Sequence, residues 1–115
     1  MMINANIGDE IWYFKFLNDD YYGQPINGIS DLKHAKINNF YEESTYHNLI
    51  LVHYKLDNGE KITDIGYQIY LSENEAIQQY NNAIKQQLNV FDEHINKLNE
   101  YRKELENKLI SERAL

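Results

Sequence analysis

Hydrophobic and polar residues follow two rhythms along this chain, and the change comes near residue 71. Before it, short runs rich in aromatic and β-branched residues are broken by Gly, Pro, Asn and Asp. They predict strands over residues 10–16, 24–29, 47–56, 61–65 and 67–70. Asp57-Asn58-Gly59-Glu60 predicts a hairpin turn, because Asn-Gly accepts positive φ, and the glycine in Ile26-Asn27-Gly28-Ile29 predicts a bulge or bend. Residues 30–46 carry weaker signals: Leu32, Ala35 and Ile37 fit a further strand, and 38–46 reads as a loop. Trp12, Phe14 and Phe16, spaced two apart, are the expected core face of the first strand.

From Ser72 the period becomes helical. Ser72 with Glu75 three residues on forms a capping box ahead of an apolar run. Ile77, Ile84, Phe91, Leu98 and Leu105 then recur every seven residues as d positions, interleaved with Asn81, Leu88, Ile95, Arg102 and Leu109 at a. All five glycines and the one proline lie at or before Gly66, so nothing of that kind interrupts a helix from 73 to about 113. Such a helix is ~60 Å long, whereas a 71-residue barrel is roughly 30 Å across. A barrel therefore covers at most half the stripe, and Phe91, Leu98, Leu105 and Leu109 need another helix.

A second copy of the chain is the first expectation, and a helix folded back at Asn89 is the second. Ile84, Leu88, Phe91, Ile95, Leu98, Arg102, Leu105 and Leu109 are the expected oligomerisation residues. Asn81 and Arg102 at a favour few strands, a dimer first and a tetramer second, while Tyr80, Tyr101 and Ile110 broaden the stripe. Asn82, Gln87, His94 and Asn96 are too neutral to set parallel or antiparallel pairing.

The predicted fold class is α+β: a small β-barrel of about five strands over residues 1–71, closed to remove its edges, then one long coiled-coil helix over 72–115. Gly8-Asp9-Glu10-Ile11-Trp12-Tyr13, the Ile26-x-Gly28 bend, Asp57-Asn58-Gly59-Glu60 and Tyr70-Leu71-Ser72-x-x-Glu75-Ala76 together resemble small SH3-like barrel proteins with a trailing helix, encoded by Gram-positive phages and mobile elements. The resemblance spans about residues 8–80. It implies that barrel and a phage or mobile-element origin, and it transfers no catalytic or binding residue.

Charge narrows the function. The chain of 115 residues has 18 acidic and 11 basic side chains, and residues 1–71 hold ten of the acids against five bases. No Lys/Arg cluster of the kind that grips phosphate backbones is visible, which argues against direct nucleic-acid binding. The absence of cysteine removes disulfides, thiol nucleophiles and Cys-ligated metal, and fits a reducing cytoplasm. No leader-like or membrane-spanning run is expected.

Chemistry-bearing motifs are few. His47 and His53 are six apart, one face of a strand, but without HExxH spacing or a third ligand they read as surface groups, as do His34 and His94. Asp9-Glu10, Asp19-Asp20 and Glu42-Glu43 are adjacent acids, which alternate faces in a strand and are solvated in a loop. No Walker loop, GxGxxG or GxSxG is present. The expectation is a non-enzyme without metal or cofactor.

The aromatic residues are more informative. Tyr21, Tyr22, Tyr41 and Tyr46 stand in predicted loops beside Asp19, Asp20, Glu42 and Glu43, a composition suited to a protein partner whose Lys and Arg meet the carboxylates. These eight residues form the expected partner-binding surface. The implied function is occlusion of a host or phage protein, most specifically inhibition of a bacterial defence effector in the manner of an anti-CRISPR. Alternatives are an oligomer that sequesters a nucleotide or metabolite, with Lys33, Lys36, Arg102 and Lys103 converging between subunits, and a structural coiled-coil assembly protein.

Overall fold

The computed structural model describes residues 5–21 and 24–110, with side chains described throughout that range except at 18–21 and 24–27. Six strands precede one helix: β1 (Glu10–Tyr21), β2 (Gln24–Ile29), β3 (Lys33–Ser44), β4 (Ile50–Leu56), β5 (Lys61–Thr63), β6 (Tyr67–Tyr70) and α1 (Glu73–Asn107). Residues Met1–Ile84 form one compact unit and Lys85–Leu115 a second. The architecture is thus α+β, with the division falling inside α1.

All strand pairs are antiparallel, and β1 organises them. Its far half pairs with β2 from Phe16↔Ile29 to Tyr21↔Gln24, and its near half pairs with β3 from Glu10↔Lys36 to Tyr13↔Lys33. Its other edge takes β6, Trp12↔Tyr70 to Lys15↔Tyr67. β3 continues past a register shift at Ile37 and Asn39 to pair with β4, and β4 pairs with β5. Residues 38–44, expected as a loop, are therefore strand, and β1 runs on through Asn18, Asp19 and Asp20. Ladder pairing to a neighbour outweighs the low intrinsic β-propensity of Asn, Asp and Glu.

The sheet is open: among the described residues β2 pairs with β1 alone, and two further strands with one unpaired edge are β5 and β6. They are nevertheless joined by only residues 64–66. Laid flat, five strands from β5 to β6 would separate those edges by about 19 Å. The step from Thr63 to Tyr67 spans at most about 14 Å of extended chain. The sheet must curl, and the short connection turns at Gly66, whose φ of 95° suits glycine. Gly59, with φ 86°, makes the predicted turn between β4 and β5.

The main core cluster holds Ile11, Tyr13, Ala35, Ile37, Val52, Tyr54, Leu56 and Ile62. In β1 the core parity is therefore Ile11 and Tyr13, and not the expected Trp12, Phe14 and Phe16. Phe14 is buried (2% exposed) on the opposite face, stacked on Tyr70 at 6.2 Å and edge-on to Tyr80 of α1 at 5.2 Å. Phe16 at the end of that face is 41% exposed. Three consecutive aromatics gave no alternation from which parity could be read, and here both faces of the strand are covered.

The Ser72 Oγ accepts from the Glu75 N–H at 3.4 Å, and the Ser72 carbonyl accepts from Ala76 N–H at 3.0 Å, so α1 begins where its capping residue stands. Ala76 and Ala83 are buried and Tyr80 is half-buried, a stripe separate from the predicted a/d seam. Small side chains at 76 and 83 let the helix approach closely, with Tyr80 against Phe14. The expected seam is left outward: Ile77, Leu88, Phe91, Ile95, Leu98 and Leu105 are exposed in the single chain, with Ile84 half-buried. α1 closes at Asn107 with tight turns from Lys108 N–H to the Leu105 carbonyl and Leu109 N–H to the Glu106 carbonyl, so Leu109 follows the helix rather than continuing it. No helix among the described residues is long and apolar enough to cross a membrane.

Candidate functional site

The expected partner-binding residues fall on two separate hairpins. Asp19, Asp20 and Tyr21 lie at the β1 end paired with β2, where their side chains are outside the description, and Tyr22 lies outside the described residues. Tyr41, Glu42, Glu43 and Tyr46 lie on the β3–β4 hairpin. Register sends the two groups in opposite directions along the β1–β3 pair, since Tyr21 lies beyond Tyr13↔Lys33 and Ser44 beyond Glu10↔Lys36.

Because 38–44 is strand, its side chains alternate. Tyr41 and Glu43 share one face with His53 and Lys55, whereas Glu42 shares the other with Phe40, Val52 and Tyr54. Tyr41 stacks on His53 at 4.6 Å with planes 7° apart, Lys55 Nζ stands 5.8 Å from the Tyr41 ring centre, and Glu43 Oε2 lies 2.7 Å from His53 Nε2. The hairpin tip turns through Asn48 at φ 58°, with Thr45 N–H and Oγ1–H both donating to the Leu49 carbonyl. Tyr46 on this tip is 97% exposed, and Tyr41, Leu49 and Ile50 are also exposed. The site is thus the exposed tip and both faces of one hairpin, with Tyr41 and Glu43 on one face, Glu42 and Ile50 on the other, and Tyr46 and Leu49 at the tip. His53 and Lys55 were invisible as members because only the cross-strand register places them beside Tyr41.

A second group of polar residues gathers at the other end of the core. The Tyr13 hydroxyl donates to Glu60 Oε2 at 2.7 Å and accepts from Asn58 Nδ2 at 2.8 Å, while Lys33 Nζ binds Glu60 Oε1. Asn58 Oδ1 also accepts from the Glu60 N–H at 3.0 Å, so the Asn-Gly turn fixes both side chains. The Lys33 ammonium, and after it the Tyr13 hydroxyl, hold the Glu60 carboxyl below the usual carboxylate range. Burial, reinforced by the bond to Glu60, pushes the Tyr13 phenol up to about 12.

These shifts predict a two-sided pH profile. A depressed carboxyl adds stability that is present above its unfolded value of about 4.3 and is lost as pH falls through the folded value. A raised phenol adds stability present below about 10 and lost as pH climbs towards 12. The urea midpoint of Glu60→Gln should approach that of the unsubstituted chain as pH falls below about 4.3, and Tyr13→Phe should lose less than the unsubstituted chain in the alkaline window. Parallel curves for variant and parent across both windows would overturn the assignment.

Among the described residues no three His, Asp or Glu side chains converge as metal ligands, and His47 stands edge-on to Tyr46. Comparison with protein-family models, with curated proteins and with solved structures finds no match for this chain.

Proposed function

We propose that this chain is a non-catalytic binding protein that docks a protein partner through the β3–β4 hairpin and self-associates through the outward seam of α1. One observation carries the docking reading: Tyr41, Tyr46, Leu49 and Ile50 are exposed on one hairpin, with Glu43 on the face of Tyr41 and Glu42 on the face of Ile50. Rigid aromatic area ringed by charge is the composition of binding hot spots, and the carboxylates select a partner rich in Lys and Arg. We read the curled sheet as an SH3-like barrel and, following the resemblance of its motifs, the protein as a phage-encoded inhibitor of a bacterial defence effector.

Expression of the chain in a Gram-positive host with an active defence system is expected to restore plating of a restricted phage by tenfold or more. Tyr41→Ala/Tyr46→Ala should abolish most of that gain while lowering the melting temperature by only a few degrees, because Tyr46 is 97% exposed and the part-exposed Tyr41 forfeits mainly its stack on His53. Absence of restoration across the defence systems tested, or full restoration by the double variant, would refute the reading.

A further inference from the structure

Lys15, Lys33 and Lys61 line one cleft of about 230 Å³ together with Ser30, Glu60, Tyr13 and Tyr67. Residues 1–84 contain five basic side chains, all lysines, and three of them meet here, in the more acidic part of an acidic chain. Their sequence positions are far apart. The β1–β3 register sets Lys33 opposite Tyr13, the β1–β6 register sets Lys15 opposite Tyr67, and β5 begins at Lys61, so the curl of the sheet assembles the group.

The lining holds one carboxylate, and that one is committed. Glu60 is held by Lys33 and by the Tyr13 hydroxyl. Among the described residues Lys15 and Lys61 have no carboxylate within ion-pair distance. Two positive charges are thus in excess over the carboxylate of the lining. Beside them, Lys15 Nζ stands 5.6 Å from the centre of the half-buried Tyr67 ring, which is itself edge-on to Tyr13 at 6.2 Å. Ser30 Oγ, which accepts from the Lys15 N–H at 2.9 Å, fixes the backbone at the start of this wall.

We propose that this cleft binds the phosphate of a small phosphate monoester, the dianion lying between Lys15 and Lys61 and the organic part resting against Tyr67. Lysine ammonium groups serve phosphate as point charges, and a dianion matches the excess better than a carboxylate monoanion does. The volume lies below the ~300–1,000 Å³ of pockets that enclose a whole drug-sized ligand, so the cleft takes a head group and leaves the remainder at its open side. The site is distinct from the β3–β4 hairpin, and its occupancy does not depend on that hairpin having a partner.

Titrations of the full chain at low salt with AMP, inorganic phosphate, adenosine and acetate, followed by heteronuclear NMR, test this. AMP and phosphate should both shift the backbone signals of Lys15, Lys61 and Tyr67, AMP more tightly, while adenosine and acetate should not. Each of Lys15→Gln and Lys61→Gln should weaken AMP binding about tenfold with the spectrum otherwise retained, and raising salt from about 20 to 500 mM should weaken it in the unsubstituted chain, because the contacts are electrostatic. Lack of a shift with both phosphate compounds at millimolar concentration would overturn the proposal. So would acetate binding as tightly as phosphate, or an affinity for AMP that neither variant nor salt changes.

Discussion

Phe14→Ala is expected to destabilise the fold by about 3–5 kcal/mol, the usual cost of emptying a buried Phe site. The ring is 2% exposed and joins two layers, since it packs on Tyr70 of β6 and meets Tyr80 of α1 edge-on. A domain of this size has about 5–15 kcal/mol in all, so the loss takes a large share. Phe16→Ala, two residues further along the same face, should cost only about 1 kcal/mol, because its ring is part-exposed and what it forfeits is mainly one edge contact with Phe14. Urea unfolding of the two variants measures the contrast directly. Equal losses would show that the helix does not cover β1 as described.

The second large effect concerns association. On the proposed reading, light scattering should report about twice the 13.7 kDa chain mass, and Leu98→Glu should return it to one chain. Leu98 is 67% exposed in the single chain and lies between Ile95 and Leu105 on the outward seam, so a carboxylate there does nothing to an isolated helix but is buried without a partner in a paired one. Because Ala76, Tyr80 and Ala83 lie on another stripe, the near-ultraviolet signal of the sheet should survive the substitution. One-chain mass for the unsubstituted protein at about 100 μM would rule out the pairing, since an association weaker than that populates few pairs.

What could be read from the chain was the punctuation. Asn58-Gly59 makes its turn, Ser72 caps the helix, and the run of heptads from Ile77 is a helix as far as Asn107. These signals are local: a φ above zero, one side-chain acceptor, one period. The misses share a different cause. Residues 38–44 look like a loop because Asn, Glu and Ser dominate them, yet pairing with β4 decides their state. Ring size pointed to Trp12, Phe14 and Phe16 as the core face, and only the register of three neighbours shows Ile11 and Tyr13 facing inward instead.

The sites follow the same division. Tyr41, Glu43 and Tyr46 are exposed, as expected of them, but the strand separates Glu42 from its neighbour and brings in His53 and Lys55. Lys15, Lys33 and Lys61 carry no motif at all, because nothing in a linear spacing of 18 and 28 residues encodes a cleft. The long reach that the helix pattern implied was correct as far as Asn107, but the face given to the sheet was not the face with the largest residues. Two alanines, poor as hydrophobic signals, allow the closest approach.

β1 is synthesised first and completed late. β2 and β3 follow it directly and can pair with one edge as they leave the ribosome, whereas the opposite edge waits for Tyr67–Tyr70 and the outer side of Phe14 waits for Tyr80. Throughout that interval the most aromatic strand of the chain presents a free edge and an uncovered ring, the features through which nascent chains stick to one another. Covering of both sides of β1 therefore cannot finish until the first turns of α1 have been made. A chain stopped shortly after Tyr70 would retain every strand and still lack the lid over Phe14, and chaperone demand should be greatest for that product.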